Sequence, residues 1–373
     1  MLRKPNSNTK KPLSTKWLIR KPALRMPRIF LSLTTLIFGI TLFVKLGISS
    51  WPLIAAEKPH QKSSEAGKPM KMEISLIKRL PLQISGKSET RWVTAASGIV
   101  QRDDFFYIVS DDSLNLSVLN GLTEEINSVP ILKGQLPDDE HERKKKKPDF
   151  ESLFYIEDIR LPSPGLIAFP SGSKSSRFTA VFIPLSKEGS IDTEKMTPFD
   201  LAPLFNPLLR QFEKLNIEGA LIDQENLVLF HRGNSKDDIN RMFVYPKAAL
   251  VDLILGDNRG TEIAPRHVQD FDLGNINGVK LTFSDATLFE GKIYFLASAE
   301  NTTNPIDDGK VEGTIMGELL PSGGIKIITT IVHEKAEGLH LHRNDQNILV
   351  SMVTDNDDSK RPSELLLFNL EIL

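Results

Sequence analysis

The chain has 373 residues, no cysteine, and 48 acidic against 46 basic residues. The lack of thiols excludes disulfide bonds, thiolate zinc sites and a cysteine nucleophile. Residues 1–56 hold ten basic residues and no acid, which leaves 36 basic against 48 acidic residues, a net charge of −12, in residues 57–373. An acidic region of this kind argues against nucleic acid as a partner and is compatible with a hard cation bound by carboxylates.

The N-terminal region predicts a segment that inserts into a membrane. Residues 29–44 are uncharged and mostly apolar, they follow nine basic residues, and a second apolar stretch runs on to Ala56. A span over residues 29–47 is long enough to cross a bilayer. Because Ile54-Ala55-Ala56 matches a small-x-small cleavage site poorly, the sequence favours a retained anchor over a cleaved signal peptide.

The basic flank indicates the orientation of this segment. Positive residues stay in the cytoplasm, so the chain that follows the segment should lie outside it, anchored or, if the segment is cleaved, exported. The predicted regions are a basic cytoplasmic tail (1–28), a transmembrane anchor or signal segment (29–56), a polar linker (57–71) and a folded domain (72–373).

The folded domain contains a short sequence pattern that is repeated five times. In each repeat an acidic or hydroxyl residue precedes a small residue and an apolar stretch. The five anchors, at steps of 54, 67, 67 and 52 residues, are Ser97, Glu151, Glu218, Asp285 and Glu337. Each anchor is followed by β-branched and aromatic runs that turn residues separate, which is the pattern of short strands. A strand-built repeat of this size is typical of a β-propeller.

The strand count predicts how the ring closes. Each repeat has room for four strands, but the last one ends at Leu373 without a fourth. Met72–Leu82 resembles a strand without a blade, so we expect it to pair with Leu365–Leu370 and close the ring. The fold is therefore predicted as all-β, a propeller of five blades preceded by an anchor or signal helix. Six blades are possible if residues 249–280 form an extra one.

One segment departs from the strand pattern. Pro198–Leu215 places leucine and phenylalanine at steps of three and four residues, which predicts an amphipathic helix packed on the ring between blades.

The anchors predict an acidic site on the propeller axis, because the innermost strand of every blade lines the central channel. Glu151, Glu218, Asp285 and Glu337 are the candidate metal ligands, and Ser97 fills the fifth place. Ligands that are all oxygen favour Ca²⁺ over Mg²⁺ or Mn²⁺. The alternative is that these carboxylates accept hydrogen bonds from backbone N–H groups at the axis and bind no ion.

Further polar residues could contact an anionic small molecule, through a hydroxyl, an ammonium or a guanidinium group. The candidates for substrate binding are Ser97, Lys147, Asp149, Arg177 and Arg232. For the basic members the alternative is a solvated loop or a salt bridge within a blade. His340 and His342 point to one face of a strand, but no third metal ligand is evident.

Short pieces of the chain resemble the bacterial phytase-like, or esterase-like, propeller proteins, and are most similar to an uncharacterised branch of that group. The pieces, within residues 75–373, are Ala96–Val100, Val109–Asp112, Lys147–Glu151, Asn216–Ala220 and Ala336–Leu339. The resemblance implies a calcium-dependent propeller and, in some relatives, phosphomonoester hydrolysis. The sequence departs from that pattern at its first anchor, which is serine, and in having no second dense acidic cluster.

Together these features predict a membrane-tethered, extracytoplasmic propeller with an axial Ca²⁺ site, compatible with a metal-dependent phosphoester or ester hydrolase. Two alternatives stay open. One is a non-catalytic propeller that binds a ligand or a protein, and the other is a metal-dependent lactonase that would polarise a carbonyl. The chain has no nucleophile elbow, phosphate loop, zinc-protease helix or dinucleotide fingerprint.

Overall fold

The computed structural model describes residues 72–84, 91–212, 214–233, 239–301, 310–332, 334–344, 347–358 and 360–372. The basic tail, the anchor or signal segment and the linker expected in residues 1–71 lie outside this part of the chain. Within the described residues, no helix combines the length and the apolar character needed to cross a membrane.

The described chain forms five antiparallel sheets of four or five strands, which we name blades 1 to 5 in chain order. Before blade 1 come β1 (Met72–Pro81) and a two-stranded hairpin of β2 (Gln83–Ile84) and β3 (Arg91–Trp92). The strands of blade 1 are β4 (Ala96–Arg102), β5 (Phe105–Ser110), β6 (Asn115–Asn120) and β7 (Ile126–Pro130).

Blades 2 and 3 are separated by a helix. Helix α1 (Glu140–Lys146) precedes the blade 2 strands β8 (Phe150–Ile156), β9 (Gly165–Pro170), β10 (Thr179–Pro184) and β11 (Thr197–Asp200). Helix α2 (Ala202–Leu209) follows blade 2. The strands of blade 3 are β12 (Ile217–Asp223), β13 (Asn226–His231), β14 (Asn240–Pro246) and β15 (His267–Phe271). Helix α3 (Lys247–Leu255) lies between β14 and β15 in the chain. Two 3₁₀ turns cover Ser175–Arg177 and Thr193–Lys195.

Blades 4 and 5 complete the ring. Blade 4 consists of β16 (Asn275–Ile276), β17 (Val279–Phe289), β18 (Lys292–Asn301), β19 (Lys310–Leu319) and β20 (Ile325–Val332). Blade 5 takes β21 (Ala336–Asn344), β22 (Asn347–Thr354) and β23 (Glu364–Ile372) from the end of the chain, and β1 as its outermost strand. The register of β1 on β23 runs from Met72 opposite Ile372 to Pro81 opposite Glu364. The predicted closure by the N-terminal strand is therefore confirmed.

Five apolar clusters fill the five spaces between neighbouring blades. Each cluster takes side chains from two consecutive blades, and the fifth joins Ile99 and Ile108 of blade 1 to Val353 and Leu365 of blade 5. The inner strands follow the same cyclic order. Strand β4 lies beside β8, β8 beside β12, β12 beside β17, β17 beside β21, and β21 beside β4. Since no edge of the ring is left open, the core of the all-β propeller is continuous.

Two sequence predictions about this region need correction. The six-blade alternative is wrong, because residues 249–280 hold most of α3, the outermost strand of blade 3 and the start of blade 4. The helix expected over Pro198–Leu215 is shorter, because Thr197–Asp200 pairs with β10 as an outer strand before α2 begins. Leu204 and Phe205 of α2 are fully buried in the cluster between blades 2 and 3, so the expected packing of the helix on the ring is present.

Candidate functional site

Every inner strand carries a β-bulge, at its second residue in blades 1, 2, 3 and 5 and at its sixth in blade 4. In each of the five strands the pairing with the second strand of the blade skips one residue, and the skipped residues are Ser97, Glu151, Glu218, Ser284 and Glu337. A bulge leaves its extra residue out of the hydrogen-bond ladder and re-aims the side chain. Each blade therefore releases one side chain from its sheet at the same level of the propeller.

The fourth repeat differs from its predicted alignment by one residue. Ser284, not Asp285, is the residue that the ladder skips in β17. Asp285 follows the bulge, and its Oδ2 accepts a hydrogen bond of 2.7 Å from the backbone N–H of Leu339 in the next inner strand. Burial raises the pKa of Asp285 well above its ordinary value. The structure thus places this carboxylate between two inner strands, apart from the other predicted acids.

The position after the bulge explains why the repeated sequence pattern contains a small residue. A Cβ atom added at Gly98 would lie 2.7 Å from the backbone nitrogen of Leu153, in the neighbouring inner strand. At the same position in blade 2, Ser152 Oγ instead accepts a hydrogen bond of 2.9 Å from the N–H of Ala220. The inner strands approach so closely that only glycine, or a side chain that bonds the neighbouring N–H, fits here.

Two of the five bulge residues are occupied by backbone contacts. Ser97 Oγ donates to the carbonyl oxygen of Phe150 at 2.5 Å, and Ser284 Oγ donates to that of Ala336 at 2.9 Å. Each serine thus ties its strand to the next inner strand. The Ser97 hydroxyl, predicted to bind substrate, is engaged in this structural bond.

The three glutamates of the bulge positions converge. One carboxylate oxygen from each of Glu151, Glu218 and Glu337 lies within 4.8 Å of the other two, and the residues are 8%, 3% and 5% exposed. Of the four acids predicted at the axis, these three form one group and Asp285 is not part of it. We refer to this group as the axial triad.

The members of the axial triad differ in their partners. Glu218 Oε1 accepts a hydrogen bond of 2.5 Å from Asn216 Nδ2 and lies 3.4 Å from Arg232 Nη1. Glu337 Oε1 lies 3.4 Å from Lys335 Nζ and accepts no hydrogen bond, although it is buried. Glu151 makes no hydrogen bond or ion pair with any described residue.

Burial raises the pKa of all three triad carboxyls above their ordinary values, and the charges of nearby carboxylates raise each pKa further. Desolvation is the largest cause in each case. The charge of Glu218 raises the pKa of Glu151 and of Glu337 further, whereas Lys147, Arg232 and Lys335 oppose the shifts. A bound cation would relieve the same repulsion.

A second carboxylate group shares Glu151 with the triad. One oxygen each of Asp111, Asp149 and Glu151 lies within 4.8 Å of the others. Lys147 Nζ bonds to Asp111 and lies 3.0 Å from Asp149 Oδ1. Burial raises the pKa of Asp111 to about 7. Burial lowers the pKa of Lys147, but the charges of Asp111, Asp149 and Glu151 outweigh it and hold that pKa above its ordinary value.

Both predicted arginines lie beside these groups, paired with acids. Arg177 Nη1 is 2.7 Å from Asp149 Oδ2, and Arg232 Nη2 is 2.8 Å from Glu300 Oε1. The Nε atoms of both arginines are buried without a hydrogen-bond partner. The salt-bridge alternative therefore describes both arginines, although each borders the acidic groups.

Sequence reasoning missed Lys335 altogether. Its Nζ lies 2.7 Å from Asp357 Oδ1, 3.4 Å from Glu337, 3.5 Å from Asp355 and 3.8 Å from Glu300. A repeat signal was available, because Lys335 precedes the blade 5 bulge by two residues as Asp149 precedes that of blade 2.

A backbone bond recurs around this end of the channel. In blades 1, 2, 3 and 5, the residue directly after the second strand donates its backbone N–H to a carbonyl oxygen. That oxygen belongs to the residue two positions before the bulge residue of the same blade. The donor and acceptor pairs are Asp111 and Ala95, Ser171 and Asp149, Arg232 and Asn216, and Asp355 and Lys335. In these four blades the residue that follows the second strand is thereby held beside the residues that precede the bulge.

The histidine pair lies outside these groups. His340 and His342 follow the bulge along β21, and neither belongs to the groups of close ligand atoms found among the described residues. Burial lowers the pKa of His340 to about 4, with smaller contributions from His342 and Arg102.

The site as a whole is acidic. It combines seven buried or half-buried carboxylates, of Asp111, Asp149, Glu151, Glu218, Glu300, Glu337 and Asp355, with the four basic side chains of Lys147, Arg177, Arg232 and Lys335. An excess of buried negative charge with an unpaired carboxylate is an arrangement that can bind a divalent cation.

A family model supplies the relationship of this chain to known proteins. It is described as a family of unknown function, DUF6929, and it matches residues 92–370. The chain belongs to this family. The DUF6929 match includes strands of all five blades but not β1, and its description is not phytase-like, so the phytase-like resemblance stays a hypothesis. None of the curated proteins matches the chain.

Several solved structures are similar to the chain at low sequence identity and with TM-scores below 0.5. Glutaminyl cyclase from Myxococcus xanthus is 10% identical, with 82% of this chain and all of that chain covered and a TM-score of 0.41. A luciferin-regenerating enzyme is 8% identical over 76% of this chain and 92% of its own, with a TM-score of 0.40. An exo-1,5-α-L-arabinanase from a bovine ruminal metagenomic library is 8% identical over 74% and 94%, with a TM-score of 0.37. These values carry no argument about activity.

Proposed function

We propose that the axial triad binds a divalent cation, Ca²⁺ in the first instance. The observation that carries the proposal is Glu151, a buried carboxylate that belongs to two acidic groups and has no hydrogen-bond or ion-pair partner among the described residues. The buried Glu337 Oε1, which accepts no hydrogen bond, points the same way. An unpartnered buried charge is costly, and a cation is the partner that suits a set of oxygen ligands.

The proposal extends to a metal-dependent hydrolase of phosphoesters or other esters. A cation held by the triad would act as a Lewis acid toward a phosphoryl or carbonyl oxygen. Lys147, Arg177 and Arg232 would orient an anionic substrate, although each is ion-paired here. A lactonase would use the same cation, and a non-catalytic binding propeller would need only the cation and its neighbours.

Cation content and turnover test these functions separately. Full-length protein in detergent is dialysed against chelator, titrated with Ca²⁺, Mg²⁺ and Mn²⁺ by calorimetry, and assayed on phosphoesters, carboxylic esters and lactones. Ca²⁺ binding that Glu151→Gln abolishes supports the axial site, and turnover that chelator removes supports a hydrolase. Binding without turnover on any substrate favours the binding propeller. No heat of binding with any of the ions contradicts the proposal.

We further propose that residues 29–47 tether the propeller to a membrane, with the propeller outside the cytoplasm. The support is the sequence pattern alone, an apolar run preceded by basic residues. Carbonate extraction and protease access to intact cells test it. A protein that stays with the membrane and is digested from outside agrees with a retained anchor, and a released protein indicates a cleaved signal.

A further inference from the structure

The two carboxylate groups at the axis meet at Glu151 but differ in what lies between their oxygens. In the axial triad, Glu218 Oε1 and Glu337 Oε1 each lie 3.4 Å from a basic side chain, whereas Glu151 forms no ion pair with a described residue. The other group, Asp111, Asp149 and Glu151, already contains the ammonium of Lys147, bonded to Asp111 and 3.0 Å from Asp149 Oδ1. An ammonium ion is a compact charge with three donors, so it can substitute for a metal ion among oxygen ligands.

The oxygens of this second group are positioned by the backbone rather than by Lys147. The N–H of Asp111 donates to Ala95 O at 3.1 Å, the N–H of Asp149 donates to Asp111 O at 3.0 Å, and the N–H of Ser171 donates to Asp149 O at 2.9 Å. Asp149 itself has a positive φ of 61°, a conformation that these bonds hold in place. The carboxylates should therefore keep their places when the lysine side chain is removed.

The side chain of Asp149 is held independently as well. Its Oδ2 accepts from Ser171 Oγ and from Arg177 Nη1, the latter at 2.7 Å, which leaves Oδ1 directed to Lys147. Oδ2 of Asp149 therefore accepts the hydrogen bonds of Ser171 and Arg177, and Oδ1 faces the ammonium of Lys147.

We propose that Lys147 is a built-in cation that fills the second of two adjoining carboxylate sites, so that the axis binds one exchangeable divalent ion beside one fixed ammonium. The inference rests on the proposed function, since it takes the axial triad as the exchangeable site. Lys147 then sets how many divalent ions the axis holds. The second site would accept a divalent cation through Asp111, Asp149 and Glu151 once the lysine is gone.

Lys335 provides a matched control. It too is a buried lysine among acids, with Glu300, Glu337, Asp355 and Asp357 around its Nζ. However, among the described residues these four acids do not form a group whose ligand oxygens all lie within 4.8 Å of one another. Removing Lys335 should leave separated carboxylates rather than a second cation site.

The test is the number of Ca²⁺ ions bound by full-length protein, measured by calorimetry and by metal analysis after dialysis. We expect one ion for the wild type, two for Lys147→Ala, and one for Lys335→Ala. Lys147→Arg keeps a fixed charge and should bind one. The double variant Lys147→Ala with Asp111→Asn should return to one ion, because it removes a ligand of the new site.

The outcomes separate the two proposals. A wild type that binds no ion contradicts the proposed function. One ion in the wild type and still one in a folded Lys147→Ala protein overturns the inference and leaves the axial triad standing. Two ions in the wild type overturn it as well, because Lys147 would then exclude nothing. If Lys147→Ala does not fold, Lys147→Gln, which keeps the stem and a hydrogen bond to Asp111, replaces it in the same count.

Discussion

Replacing Glu151 by glutamine should have opposite effects with and without a cation. In the metal-free protein the Glu151 carboxylate lies within 4.8 Å of those of Glu218 and Glu337. Two unit charges at this distance repel by about 3 kcal/mol at an effective dielectric constant of 20. Lys147 offsets part of this repulsion. Glu151→Gln should therefore raise the free energy of unfolding of the metal-free protein by about 1–3 kcal/mol at pH 8.

Added Ca²⁺ should reverse the order of the two proteins. A ligand that binds only the folded state stabilises it by about 2.7 kcal/mol at one hundred times its dissociation constant. For a domain of this size that corresponds to a rise in Tm of roughly 5 °C. The wild type should show this rise. Glu151→Gln should show little of it, because an amide is a poorer ligand for Ca²⁺ than a carboxylate.

Thermal melts in chelator and in Ca²⁺ measure both effects, and Glu318→Gln is the matched control. Glu318 is also buried, but it pairs with Lys292 at 3.0 Å on blade 4, outside the acidic groups. Its variant should keep the full response to Ca²⁺. If Glu151→Gln melts below the wild type in chelator, the carboxylate has a structural partner and the repulsion argument fails. An equal Ca²⁺ response in both proteins would show that Glu151 is not a ligand.

Three further predictions concern the ring and its pH dependence. Gly98→Ala should lower the free energy of unfolding by about 2 kcal/mol or more in urea titrations, because its Cβ would lie 2.7 Å from the nitrogen of Leu153. Gly324→Ala is the control and should be nearly neutral, because a Cβ at that position has no neighbour closer than 3.8 Å. Deleting Met72–Pro81 should lower stability and promote oligomers visible by gel filtration, since it exposes the edge of β23; an unchanged monomer would contradict closure by β1. Burial lowers the pKa of His340 to about 4, so between pH 6.5 and pH 4 the unfolded chain binds a proton that the folded chain does not. The free energy of unfolding should therefore fall by up to about 3 kcal/mol as the pH drops toward 4. His340→Gln should reduce that loss in thermal melts from pH 7 to pH 4.

The five blades and their closure could be predicted because they depend on local patterns. Short β-branched and aromatic runs between turn residues mark most of the strands, and an unmatched first strand with an incomplete last repeat indicates the closure. Short apolar runs are ambiguous, however. The run that forms α3 (Lys247–Leu255) could not be told from a strand by periodicity, and the outer strand Thr197–Asp200 looks like the start of a helix.

The candidate site was predictable only where the repeat fixes it. Glu151, Glu218 and Glu337 were found because each stands before a small residue at the start of an inner strand. The fourth repeat has two short polar residues in succession, Ser284 and Asp285, and only the pairing of β17 with β18 shows which one the ladder skips. The ion pairs of Lys147 and Lys335 join loops far apart in sequence, so no local pattern reports them.

The bulge recurs in the inner strand of every blade, but the residue type at the bulge differs between blades. Each blade must release one residue at this level, and the residue type decides what the released side chain does. A serine, as in blades 1 and 4, is short enough to bond the next inner strand. An ionised glutamate, as in blades 2, 3 and 5, has no proton to donate to that carbonyl oxygen, and the three carboxylates instead lie close together. Three glutamates therefore provide carboxylate oxygens that could hold a metal ion, and two serines provide hydrogen bonds between neighbouring inner strands.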